Sequence, residues 1–503
     1  MWRKMAMCVL CLVGGAQGFA QILAEPMISP IPKEHKIAIP AEEVVETHHS
    51  IRIAGVEVPY KAMVGTQNLT NEAGESKASI FYVAYTRENA GDLRLRPILF
   101  CFNGGPGSAS VWLHMGMIGP KRVEFNDEGT VPVLPNNFID NPYSLLDVAD
   151  LVFIDPISTG YSRTVLGEDP KQYHAVTADI QSIAQFIRLY TTRNLRWESP
   201  KFLVGESYGT LRAAGLALEL HNEDHFELNG IVLISSVLNY QTIAFDDGND
   251  LPYILYLPSY TAAAFYHKRL PEELLKDLAA TLKEVESFAL NEYTVALMQG
   301  DNLSTQERQA IVEKLARYTG LPPDYIDKAN LRVNIYQFAK RLLESESRCI
   351  GRFDSRVKGY LLDRCSDHFE FDPAVENIVG PFTAAFNQYV RADLNWKTDI
   401  EYKTLASVHP WDYDEAKNQY LDMADKLRSV MTFNPNLRVF VASGYYDLAT
   451  PYFSTAYTFS HLGLDPSLRP HVTLKYYPGG HLVFLYRPNL IQMKQEIASF
   501  ITQ

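Results

Sequence analysis

The stretch Phe202-Leu203-Val204-Gly205-Glu206-Ser207-Tyr208-Gly209 passes from a short apolar run into Leu211–Leu220, a segment rich in helix formers. The apolar run suits a buried strand, and the five residues after it fit the pattern G-x-S-x-G. A serine at a sharp strand-to-helix turn needs glycines beside it, because the backbone is strained and neighbouring segments approach closely. The turn also sets the hydroxyl above a helix N-terminus, where orphan N–H groups favour a developing negative charge. The pattern alone is common by chance. The strand before it and the helix after it make Ser207 a candidate nucleophile.

Outward from this turn the chain alternates. Ala78–Tyr85, Ile98–Phe102, Leu151–Ile154 and Ile231–Ile234 read as strands, and Val176, Ile180, Ile183, Ile187 and Tyr190 fall on one helix face. Strands alternating with helices predict an α/β fold, a mostly parallel sheet flanked by helices. Before residue 78, alternation around Ile51, Ile53 and Val56 predicts an antiparallel beginning. Helical patterns then dominate from residue 245 to 425: Glu272–Leu282, Gln306–Tyr318, Asn334–Leu343 and Tyr413–Met431. Arg438–Ala442 and Val472–Tyr476 return to strands, and Asn489–Ile501 closes the chain as a helix. The predicted organisation is a core in two parts, residues 21–244 and 426–503, interrupted by a helical cap insertion over 245–425.

A serine hydroxyl is a poor nucleophile until a base takes its proton and a third group orients the base. After a strand-to-helix serine turn these partners follow in the order Asp or Glu, then His, on loops behind late strands. Asp447, in Gly444-Tyr445-Tyr446-Asp447-Leu448, follows the Arg438–Ala442 strand, and His481, in Pro478-Gly479-Gly480-His481, follows Val472–Tyr476. The plainer readings are a turn-capping carboxylate and an ordinary loop histidine. Asn103-Gly104-Gly105-Pro106-Gly107 follows the Ile98–Phe102 strand. Without side chains, its glycines can bring backbone N–H groups up to a reacting carbonyl, so Gly105 and Tyr208 are the candidate oxyanion-hole donors. A phosphate loop is the rival reading, but no Gly-Lys-Ser/Thr follows and Pro106 removes a donor.

Asn-Gly-Gly-Pro-Gly, Gly-Glu-Ser-Tyr-Gly and the late Gly-x-x-Asp and Gly-His together resemble the serine carboxypeptidase family. Asp155-Pro156-Ile157-Ser158-Thr159-Gly160-Tyr161-Ser162 looks like a further segment of that family, with departures. The resemblance implies an α/β-hydrolase fold with a helical cap, and release of C-terminal residues from peptides, typically at acidic pH. It implies Ser207 as nucleophile, His481 as general base and Asp447 as its orienting partner. It also places Asn103, Gly104 and Glu206 at the substrate's terminal carboxylate. A carboxyl facing a carboxylate must share a proton with it, since two like charges in contact raise one pKa; Glu206 as a structural hydrogen-bonding group is the plainer reading. Three departures affect the substrate rather than the triad. Cys101 stands where the family often has Trp, Met117 where it has Glu, and Tyr445 where it often has a second Asp. An esterase or acyltransferase with the same triad and a changed acceptor site is the second reading.

Composition sets the outer bounds. Of 503 residues, 47% are hydrophobic and 21% charged, which fits a globular chain with a large core. The formal net charge of −13 argues against nucleic acid as a partner, since phosphate binding needs a basic face. No Cys/His spacing resembles a zinc site and no cofactor is called for; Asp246-Asp247-Gly248-Asn249-Asp250 misses the calcium-loop pattern. Arg3, Lys4, the apolar Ala6–Val13 and small residues up to Ala20 have the layout of a signal peptide over residues 1–20. Export to the periplasm or beyond follows, with no membrane span in the mature chain; peptides as the substrate class are what the resemblance implies. An oxidising compartment would permit Cys349 and Cys365 to pair.

Overall fold

The computed structural model describes residues 41–130 and 137–503, Asp367 excepted. The signal-peptide expectation for residues 1–20 therefore lies outside the described residues. The first strands are β1 (Val44–Ile53) and β2 (Val56–Thr70), antiparallel across the two-residue turn Ala54-Gly55. Both turn residues have positive φ, 50° and 83°, the geometry whose twist matches that of the flanking strands. β3 (Ser76–Arg87) continues antiparallel, and the short strand Arg163–Thr164 pairs with it. The remaining strands of this sheet are β4 (Ile98–Phe102), β5 (Asp150–Ile154), β6 (Lys201–Glu206), β7 (Gly230–Ile234), β8 (Arg438–Gly444) and β9 (Val472–Tyr477). They line up in the order β1-β2-β3-β5-β4-β6-β7-β8-β9, parallel from β5 onward.

Helices cover both faces because the strands are apolar on both. In β4, Ile98, Phe100 and Phe102 join one apolar cluster with Ile183 and Ile187 of α1 (Val176–Arg193) and Leu211 of α2 (Tyr208–Asp224). The alternate residues Leu99 and Cys101 join the other, with Phe382 and Phe386 of a helix at Pro373–Ala392 and Met493 of the last helix, Arg487–Thr502. Side chains this deeply buried each contribute roughly 1.5–3 kcal/mol. The arrangement is an α/β-hydrolase fold: a mainly parallel central sheet between helical layers.

Between β7 and β8 the chain is mainly helical, with an apolar cluster of its own around Leu257, Tyr260, Leu315 and Phe338. That cluster also takes in Leu448, from the loop behind β8. A small antiparallel hairpin, Arg348–Ile350 with Lys358–Tyr360, lies within this stretch. Two details differ from the sequence reading. Tyr413–Met431 is not one helix: a 3-10 stretch kinked at Ala416, Asp414–Asn418, is followed by a break and then a helix at Ala424–Phe433. Leu421 O accepts the Tyr240 N–H at 2.9 Å and Met423 N–H donates to Leu238 O at 2.8 Å, so tertiary backbone bonds replace the helical ones. Cys349 and Cys365 do not pair; the first is buried in the hairpin and the second is an exposed free thiol. Among the described residues no helix is long and apolar enough to cross a membrane.

Candidate active site

The parallel strands end together, and the candidate residues stand on the loops at that carboxyl edge, where α/β sheets bind ligands. Ser207 follows β6 with φ 59° and ψ −131°, a strained conformation for a residue with a side chain. Its N–H donates to Ile234 O at 3.0 Å, which ties the turn to β7. A Cβ on Gly205 would stand 2.2 Å from Gly209 O, so only glycine lets the chain fold back this tightly. Tyr208 opens α2, and the N–H of a first helical residue has no acceptor within the helix.

β4 lies beside β6 with Phe102 opposite Gly205, which delivers Asn103–Gly107 to the same turn. A Cβ on Gly104 would stand 2.3 Å from Tyr208 N, so this loop rests directly on the start of α2. Arg212 of α2 anchors it from below, donating through Nη1 to Asn103 O at 2.6 Å. The same guanidinium grips buried Asp179 through Nε (2.7 Å) and Nη2 (3.1 Å). Behind the loop, Asp155 Oδ1 accepts from Ser110 N–H at 2.8 Å and Ser110 Oγ–H at 2.7 Å. Burial pushes the Asp155 carboxyl up to about 6.

Asp447 and His481 meet across the loops behind β8 and β9. Nδ1 of His481 lies 2.8 Å from Asp447 Oδ2. Asp447 is fully buried and held by three donors: Ala449 N–H (2.7 Å) and Thr450 N–H (2.9 Å) on Oδ1, Thr450 Oγ–H (2.8 Å) on Oδ2. His481 is fixed through its backbone as well, its N–H donating to Phe353 O at 2.5 Å and its carbonyl accepting from Ser235 Oγ at 2.5 Å. Burial opposes protonation of His481, but the charge and hydrogen bond of Asp447, helped by Glu206, outweigh it and raise the pKa above its ordinary value. Nε2 of His481 is 3.4 Å from Glu206 Oε1 and has no hydrogen-bond partner among the described residues, Ser207 included. Nucleophile–base contacts are often loose until substrate enters.

Glu206 is 3% exposed, and its Oε2 accepts from Asn103 Nδ2 at 2.7 Å. Burial raises its pKa, partly offset by His481 and by the Asn103 hydrogen bond. Ser207, His481, Glu206, Gly105 and Tyr208 line one cleft of about 160 Å³. Asn103 and Gly104 do not line it; both are buried behind its wall. The rest of the wall is largely apolar, with Trp112, Val237, Ile243, Ile378 and Leu405. The three departures stay out of it. Cys101 and Met117 are buried in the core, and Tyr445 packs edge-on against Tyr452 at 5.0 Å.

Sequence reasoning missed Thr450, Phe353 and Arg352, all of which line the cleft. For Thr450 a local signal exists, a hydroxyl three residues after a buried Asp, where it can bond the carboxylate. Phe353, whose ring is 4.5 Å from that of His481, and Arg352 come from the hairpin of the helical stretch and carry no such signal.

Comparison with known proteins identifies the family and the fold. Residues 63–476 match the family model of the serine carboxypeptidases. The chain is 25% identical over 258 residues to the pheromone-processing carboxypeptidase KEX1 of Cryptococcus gattii, a match covering 48% of this chain and 36% of that protein. It thus spans little more than a third of that relative's length. Its fold is similar to that of KEX1(delta)P, a prohormone-processing carboxypeptidase from Saccharomyces cerevisiae. There the TM-score is 0.55 at 17% identity, over 88% of this chain and 91% of that one.

Proposed function

The chain belongs to the serine carboxypeptidase family, and on that footing we propose that it hydrolyses C-terminal peptide bonds through an acyl-enzyme on Ser207. The observation that carries this reading is His481, held by Asp447 at 2.8 Å and lining one cleft with Ser207 and Glu206. Ser207 Oγ attacks the scissile carbonyl carbon while His481 Nε2 takes its proton. Asp447 holds the Nδ1–H tautomer and balances the charge of the imidazolium. The oxyanion of the tetrahedral intermediate meets the N–H groups of Gly105 and Tyr208. His481 then gives its proton to the leaving amine, the C-terminal amino acid departs, and water repeats the sequence on the ester.

Glu206, whose pKa burial raises, donates in its protonated form to the substrate's terminal carboxylate. Asn103 and Gly104, buried behind the wall, act by fixing Glu206 and the Gly105 loop. This arrangement favours the acid side of neutrality, and the leader-like residues 1–20 favour an exported protein, periplasmic or secreted. A second reading, an esterase or acyltransferase using the same triad, draws support from Cys101, Met117 and Tyr445, which bring no polar group to the cleft.

The test is hydrolysis of a blocked dipeptide, with its terminal carboxylate free or amidated, from about pH 4 to 8, beside Ser207→Ala. Cleavage of the free acid, absent in the variant and weakening toward neutral pH, is the expected result. Equal or better turnover of the amide or of an ester would move the assignment to the second reading.

A further inference from the structure

Arg352 makes no contact used in the chemistry described so far, although its charge opposes protonation of His481. Among the described residues lining the cleft it is the only lysine or arginine, and it shares that lining with Ser207 and His481. The side chain is half-buried, and among the described residues its guanidinium donates no hydrogen bond and forms no ion pair. Asp372, an acid that feels its charge, is already held by the backbone N–H groups of Phe353 (3.0 Å) and Ala374 (3.0 Å).

The position is also rigid. Arg352 O accepts the Leu448 N–H at 2.9 Å, one residue beyond Asp447, and Phe353 O accepts the His481 N–H. The guanidinium carbon lies over the Phe353 ring, 5.0 Å from its centroid, and a guanidinium so placed still offers its planar N–H fork. A fixed, unengaged fork in an apolar cleft is suited to a carboxylate, which accepts two parallel hydrogen bonds from it. In a chain of net charge −13, such a local cation is what would let an anionic group settle near the reacting atoms.

We infer that Arg352 receives a second carboxylate of the peptide substrate, that of an Asp or Glu side chain next to the scissile bond. The inference rests on the carboxypeptidase reading, in which the terminal carboxylate goes to Glu206. It makes the protein selective for acidic residues at one of the two positions flanking the cut.

The test compares kcat/KM for blocked peptides that carry Glu or the isosteric Gln, first as the terminal residue and then as the one before it. The full chain is assayed as wild type, Arg352→Gln and Arg352→Lys, with terminal amides as a control. The expected result is a preference for Glu over Gln of about tenfold or more at one position in the wild type. That ratio falls to near one in Arg352→Gln and is partly restored in Arg352→Lys; the position at which it falls identifies the side chain received. Equal ratios in wild type and Arg352→Gln would overturn the inference while leaving peptide release intact. A change confined to the acid-to-amide ratio would overturn it too, giving Arg352 to the terminal carboxylate. Release of no residue from any peptide would overturn the carboxypeptidase reading itself.

Discussion

Under the proposed mechanism the pair Glu206 and His481 would couple recognition to catalysis, since Oε1 and Nε2 stand 3.4 Å apart and both groups are buried. His481 works as a base only when neutral. Its pKa is raised, so kcat/KM falls as pH drops through that value. Glu206 pairs with a substrate carboxylate only when protonated, so the same quantity falls as pH rises through its own raised pKa. Glu206→Gln keeps a hydrogen-bond donor and loses the titration. Its pH–rate profile should therefore lose the alkaline limb and keep the acid limb set by His481. An unchanged profile would detach Glu206 from the carboxylate. Asp447→Asn should leave the fold intact and lower kcat by about 10⁴-fold, because the orienting group no longer selects the Nδ1–H tautomer. A drop under tenfold would show that another group orients His481.

Two elements hold the site's shape, the strand-to-helix turn and the loop that rests on it. Gly205→Ala would force a Cβ to within 2.2 Å of Gly209 O, and loss of soluble protein or of about 3 kcal/mol or more in urea unfolding is expected. Arg212→Met leaves Asp179 buried without its partner and should cost about 3–5 kcal/mol, with Asp179→Leu in the same chain restoring much of it. If the double variant is as unstable as the single one, the anchoring of Asn103 O rather than the lost partner dominates. These elements were legible in the sequence because their signals are local. An apolar run, glycines at set spacing and a Ser, Asp or His behind a strand end are read within ten residues of one another. The break at 419–423 was not legible, since it exists only because Leu238 and Tyr240 offer tertiary backbone partners. Arg352 and Phe353 were hidden for the same reason. They reach the cleft through the hairpin's pairing and through bonds to Leu448 and His481, none of which leaves a periodic trace.

At the scale of the whole molecule, the helical stretch and the sheet share the catalytic loops. Leu448, adjacent to Asp447, is fully buried in the apolar cluster of the helical stretch. Leu448→Ala should destabilise the protein by about 2–5 kcal/mol and lower kcat together with Tm. A lower Tm with kcat unchanged would mean that the helical stretch does not brace the Asp447 loop. Under the proposed mechanism, His481 and Asp447 make Ser207, alone among the serines, a strong nucleophile. The most direct test is mass spectrometry of the folded protein after reaction with a fluorophosphonate, with peptide mapping of the adduct. One adduct on Ser207, absent in His481→Ala, is the expected result. An adduct on another residue, or an adduct on Ser207 that forms as fast without His481, would contradict it.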